Sequence, residues 1–372
     1  MEIYLLAFLL YILMAFIIKL YGNIANIIPR TVYLVPFFLV FGSIAMLRSQ
    51  FVGVDTKLYT LLFSRMQGQI DLDTLANSKF PLYDLYSALV FKINASPNTI
   101  IIFNSLIIIF GICLIIKRMS SNVFVSSFLF VSLYFYFHSL NISRQYIALV
   151  ILWIGITFLL KDKDVTFFVY YLMACLVHST AVVGIFIYVL YKIKWNKIKY
   201  FILAIIVSIL PVVTKNLLNL FIKIFPSYAF YTDTEYGSQS FAVQGQGNKI
   251  YLTMFYACFL IIGFLIQRRL TKDTVKRVAF YNAVILVTVI LGLIFSKDVL
   301  MTRIEFYFSI LMIIYIPEVI INFFKIAKMS VIKKTNYINL TLAVVLLITL
   351  VPMVYQLYKG IDGVIPFSSF LN

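Results

Sequence analysis

The feature that most constrains this chain is the recurrence, from Ile3 to Tyr358, of apolar runs roughly 20 residues long separated by short polar stretches. A helix of about 20 apolar residues crosses the hydrocarbon core of a bilayer and satisfies all its backbone polar groups internally. With 63% of 372 residues hydrophobic and 12% charged, the composition lies far from that of a soluble domain. The sequence therefore predicts an all-α polytopic membrane protein, a single integral membrane domain over residues 1–372. The runs fall at 3–20, 31–47, 98–116, 121–137, 142–160, 199–213, 249–267, 278–295, 303–323 and 336–357. The first has no basic stretch before it and no small-residue cleavage pattern after it, so it reads as a retained helix.

Two regions need a separate argument. Residues 81–93 are too short to cross and follow a polar loop, which predicts a re-entrant or interfacial helix opened by Pro81. The run 165–191 could be one long helix, or two short ones broken at His178, Ser179 and Thr180. Charge decides between them. With the break, one side of the membrane collects Lys19 and Arg30, Lys117 and Arg118, Lys161 and Lys163, the Lys192 to Lys199 cluster, Arg268 to Arg277, and Lys325 to Lys334, nineteen of the 31 basic residues. The positive-inside rule makes that side cytoplasmic and accounts for the net charge of +17 without a nucleic-acid partner. The prediction is twelve membrane helices, two of them short, with both termini outside. External loops then cover 48–80 and 214–248, and the tail 359–372 is external as well.

The few polar residues with chemical potential fall on the external side of this topology. Arg144 and Gln145 open a helix in Ser139-Leu-Asn-Ile-Ser-Arg-Gln-Tyr. Arg144 reads either as an anchor that snorkels to the headgroups or as a phosphate ligand, since its planar fork matches phosphate oxygens and a helix N-terminus adds N–H groups aimed at the same anion. His178, at the proposed break, is either a hydrogen-bonded structural residue or a group that moves a proton near neutral pH. Asp55, in Gly53-Val-Asp-Thr, is an ordinary helix N-cap or an external general base, and both roles are compatible. Tyr83 is placed to hydrogen-bond a headgroup or sugar. Arg303 and Tyr307 share a helix face at i, i+4 while Glu305 points away. His138 and His178 are far apart and Cys113, Cys175 and Cys258 lack CxxC spacing, so no metal site, disulfide frame or cofactor is expected.

Taken in order, Gly53-Val-Asp55-Thr56 with Tyr59, Pro81-x-Tyr83, Arg144-Gln145 with Ala148, His178-Ser179 with Ala181, Arg303 with Tyr307, and the tail Gly363-Val-Ile-Pro-Phe resemble the EpsG family, which is related to the Wzy polymerases of surface polysaccharides. The resemblance implies an architecture similar to the C-type membrane glycosyltransferases. It implies a bacterial cytoplasmic-membrane enzyme that joins oligosaccharide units carried on undecaprenyl diphosphate at the outer face, for capsule, exopolysaccharide or O-antigen, alongside a flippase and a chain-length regulator. Under it, Arg144 and Arg303 would bind the diphosphate, Asp55 or His178 would take the proton, and Tyr83, Gln145 and Tyr307 would contact substrate. A ligase acting on the same lipid-linked glycan stays open. A transporter or flippase is less well supported, because the sequence carries no internal repeat and Glu318 is the main deep charge.

Overall fold

The computed structural model describes all residues except 26–28, 67–74, 76, 225–245, 296–298, 328 and 372. Among the described residues it holds sixteen α-helices and no strand. They divide into two compact units, residues 1–185 with 342–372, and residues 186–341.

The first unit begins with α1 (Glu2–Ala25), α2 (Leu34–Leu47) and two short helices, α3 (Thr56–Arg65) and α4 (Pro81–Ile93). The sequence placed α4 at the same bounds. Then follow α5 (Pro97–Met119), α6 (Val123–Ser132), α7 (Phe135–Asn141), α8 (Ser143–Leu159) and α9 (Asp164–Val177). Helix α8 is buried on nearly every side and packs on both α5 and α9, so its apolar residues run all round it and not along one stripe. Close approach to α5 requires Gly111, where a Cβ would stand 2.1 Å from Val150 Cγ1.

Two breaks shape this unit. The expected interruption at 178 is present: α9 ends at Val177, His178 is extended, and a 3₁₀ turn, Ser179–Val183, leads into α10 (Gly184–Lys192). The expected continuous span 121–137 is corrected. Tyr134 takes the left-handed conformation at φ 73°, and α6 and α7 meet at a 56° bend. No Gly or Pro stands there; a Tyr134 hydroxyl bond to the Ile361 carbonyl at 3.0 Å holds the turn from the far end of the chain.

The second unit contains α11 (Lys197–Ile224), α12 (Gln246–Gln267), α13 (Lys272–Ile294), α14 (Val299–Ser309) and α15 (Met312–Ile326); α16 (Val331–Tyr358) begins in it and ends in the first. Helix α11 continues ten residues past the expected start of the 214–248 loop, whose centre, 225–245, lies outside the described residues. Glu318, the deep charge, is 5% exposed and takes an Arg277 Nη2 at 2.5 Å and an Asn322 Nδ2 at 3.1 Å. Its cost is thus met by a cation from α13 that the sequence had assigned to a loop.

Among the described residues, seven helices are long and apolar enough to cross a membrane, or eight if the bent α6–α7 pair is one span. That is fewer than the expected twelve. The difference lies in α11 and in three shorter apolar segments, Ser143–Leu159, Asp164–Val177 and Ser179–Lys192. The architecture is that of a polytopic membrane protein.

Candidate functional site

Arg144 occupies the first turn of α8, immediately after the α7–α8 junction. Its guanidinium carbon lies 3.8 Å from the centre of the Phe80 ring, with the rings of Tyr83 at 5.5 Å and Tyr59 at 5.7 Å. Among the described residues it has no acidic partner, and its Nε is buried without a hydrogen bond. An arginine that merely snorkels would extend its head to water. This one is half-buried and enclosed by ring faces, whose quadrupoles attract the charge without cancelling it.

Each ring of the cage is fixed by its own element. Phe80 is the N-cap of α4; the Ser78 hydroxyl accepts its N–H at 2.9 Å and donates to the Asp84 carboxylate. Phe80 also contacts His178, whose ring stacks on it at 5.5 Å and 16°. Tyr83 follows on α4, 6% exposed, and its hydroxyl accepts from Asn104 Nδ2 at 3.0 Å. The same buried amide accepts from Tyr86 at 3.0 Å and reaches Ser143 Oγ at 3.3 Å, tying α4 and α5 to the first turn of α8. Burial pushes the Tyr83 phenol above its ordinary value, so it stays protonated and serves as a wall of the cage. Tyr59, the third ring, stands one turn after Asp55 on α3.

Asp55 is at the N-cap position of α3, yet its side chain makes no cap bond, which overturns simple capping. Its backbone N–H instead donates to Asn141 Oδ1 at 2.8 Å. The turn before it depends on Gly53 at φ 95°, where a Cβ would meet Thr56 Oγ1 at 2.6 Å and the Leu140 carbonyl at 2.7 Å. Thr56 Oγ1 donates to that carbonyl at 3.0 Å, and Arg48 Nη2 does so at 3.2 Å.

His178 caps the 3₁₀ turn that follows it. Nδ1 accepts the Thr180 N–H at 3.4 Å and lies 2.7 Å from Thr180 Oγ1. A backbone N–H can only donate, so Nδ1 holds a lone pair toward the turn and the neutral ring carries its proton on Nε2.

A model of the EpsG family matches residues 31–369, nearly the whole chain. The chain belongs to the EpsG family. No curated protein and no solved structure matches it.

Within this EpsG-family fold, Asp55, Tyr83, Arg144, Gln145 and His178 all lie in the first unit, and contacts through Phe80, Tyr59 and Asn141 join Asp55, Tyr83, Arg144 and His178 into one cluster. Gln145, next to Arg144, is 1% exposed. Arg303 and Tyr307 stand on α14 of the second unit, half-buried and 0% exposed respectively. Sequence reasoning missed Phe80, Asn104, Asn141 and the His138–Asp362 pair, in which Nδ1 and Oδ2 are 2.6 Å apart. Phe80 is one of 36 phenylalanines; its place directly before Pro81 and Tyr83 was the available signal.

Proposed function

We propose that this EpsG-family membrane protein is a glycosyltransferase that polymerises lipid-diphosphate-linked oligosaccharide units at the outer face of the cytoplasmic membrane, with an architecture of the C-type. The observation that carries the reading is the caged guanidinium of Arg144, a partly buried cation with no acid among the described residues beside it. Such a charge is expensive at the edge of a membrane and is best explained by an anion that arrives with the substrate. Diphosphate suits it, because the guanidinium fork and the first N–H groups of α8 are both donors to phosphate oxygens.

In this reaction a hydroxyl of the incoming unit attacks the anomeric carbon of the growing glycan, the new C–O bond forms, and the bond from that carbon to the polyprenyl diphosphate breaks. The hydroxyl proton goes to Asp55. Asp55 is preferred to His178 as the base because the Nδ1 lone pair of His178 already accepts from Thr180, while its Nε2–H is a donor. His178, whose ring like the Arg144 guanidinium stacks on Phe80, supplies that donor to the leaving oxygens.

The test is to supply purified protein in liposomes with a lipid-diphosphate-linked repeat unit and to resolve products by size. A ladder is expected. A single transfer to another acceptor would make the protein a ligase, and movement of the lipid without bond formation would make it a transporter.

A further inference from the structure

The turn that carries Asp55 is tied to distant parts of the chain as well as to itself. Three consecutive amides, those of Gly53, Val54 and Asp55, donate outward: to the Gly363 carbonyl at 3.0 Å, the Asp362 carbonyl at 3.1 Å and Asn141 Oδ1 at 2.8 Å. Two of these acceptors come from the C-terminal tail, more than 300 residues away in sequence. The third is held by the tail, since Asn141 Nδ2 donates to Asp362 Oδ1 at 2.8 Å. The other oxygen of the same carboxylate, Oδ2, is held 2.6 Å from His138 Nδ1.

The tail is shaped for this task. Gly360, Asp362 and Gly363 are left-handed, with φ of 66°, 63° and 63°, which folds the chain into a tight loop with its carbonyls toward the 52–55 turn. Further along, the tail is pinned to the end of α2, where Ser49 N donates to the Ser368 carbonyl at 2.8 Å and the Ser49 and Ser368 hydroxyls are 2.6 Å apart. The Asp362 side chain therefore has both oxygens committed to α7, through His138 and Asn141, and its backbone committed to the turn before Asp55.

We infer that Asp362 is a positioning residue for Asp55, acting through Asn141, so that the C-terminal tail sets the place of the base. This rests on Asp55 being the base in the proposed reaction. An amide at 141 can satisfy both neighbours only in one orientation, with its oxygen toward the Asp55 N–H and its NH₂ toward the carboxylate. Loss of Asp362 frees Asn141 to rotate, and Asp55 loses its fixed placement.

The test measures kcat and KM for polymerisation of a lipid-diphosphate-linked repeat unit by full-length variants. Asn141→Ala and Asp362→Ala are expected to lower kcat by about 10- to 100-fold, since a misplacement near 1 Å costs on that order, with KM changed by less than about twofold. In an Asp55→Asn background, Asn141→Ala is expected to lower the residual rate no further. A further drop there, or a kcat for the single variants within about twofold of the parent, overturns the inference. Should the alanine variants be lost from the membrane, the exchange Asn141→Asp with Asp362→Asn decides. The new carboxylate accepts from both the Asp55 N–H and the new amide, whose oxygen accepts from His138. Recovery of kcat by the exchange, against loss in Asn141→Asp alone, supports the inference, and no recovery overturns it. Normal polymer from Asp55→Asn alone would instead sink the reading of Asp55 as base, and this inference with it.

Discussion

Replacing Arg144 by Lys keeps a positive charge but removes the planar fork and the ring contacts. The guanidinium carbon is 3.8 Å from the Phe80 centroid and 5.5 and 5.7 Å from those of Tyr83 and Tyr59. For a half-buried cation the near ring contributes about 1 kcal/mol and the farther two less. Loss of one of two parallel N–H···O bonds to phosphate adds about 1.5–3 kcal/mol. The sum, about 2–4 kcal/mol, corresponds to a 30- to 1000-fold fall in kcat/KM at about 1.4 kcal/mol per decade. Arg144→Ala also removes the charge and is expected to leave no measurable polymer. The assay is the initial rate of ladder formation by purified protein, normalised to the amount retained in the membrane fraction. An Arg144→Lys rate within threefold of the parent, or polymer of normal length from Arg144→Ala at normal abundance, would refute the role of this cation.

Phe80→Leu removes the surface shared by Arg144 and His178 and should lower polymerisation about tenfold, with Phe80→Tyr retaining most of it; equal rates for the two would show that ring stacking is dispensable. Gly53→Ala places a Cβ against Thr56 and Leu140 at a positive φ, and it should cost about 1–3 kcal/mol, read as a lower midpoint of thermal unfolding in detergent. Asn104→Ala leaves the Tyr83 and Tyr86 hydroxyls and Ser143 short of a partner at once. A loss of about 1–3 kcal/mol is expected in the same measurement, with Asn104→Asp milder than Asn104→Ala because its oxygen still accepts from Tyr86.

The elements set by local or pairwise rules are legible in the sequence. The α4 bounds follow from Pro81 and an apolar run too short to cross. The break at His178 followed from the demand that the Lys192 to Lys199 cluster share a side with the other basic loops, a global argument with a local result. The bend at Tyr134 was hidden because its cause is remote: a left-handed tyrosine in a run with no Gly or Pro, stabilised by the Ile361 carbonyl. Asp362 was hidden for the same reason, its partners His138 and Asn141 lying 224 and 221 residues away. Asp55 was legible as a residue but not as a group, since its N-cap position carries no cap bond. Arg144 and His178 stood out as rare polar residues in apolar context; Phe80, which joins them, had nothing to distinguish it from the residues that only pack.

A cation held by an acid must be released before it can receive another anion, and that exchange adds a barrier to every arrival. The ring faces around Arg144 hold its position while leaving its charge unspent. Among the described residues, an anion reaching this site displaces no carboxylate, and on leaving it finds none waiting to take its place. In the proposed polymerisation the same geometry is therefore present before and after each encounter, so each round starts in the state in which the last one began.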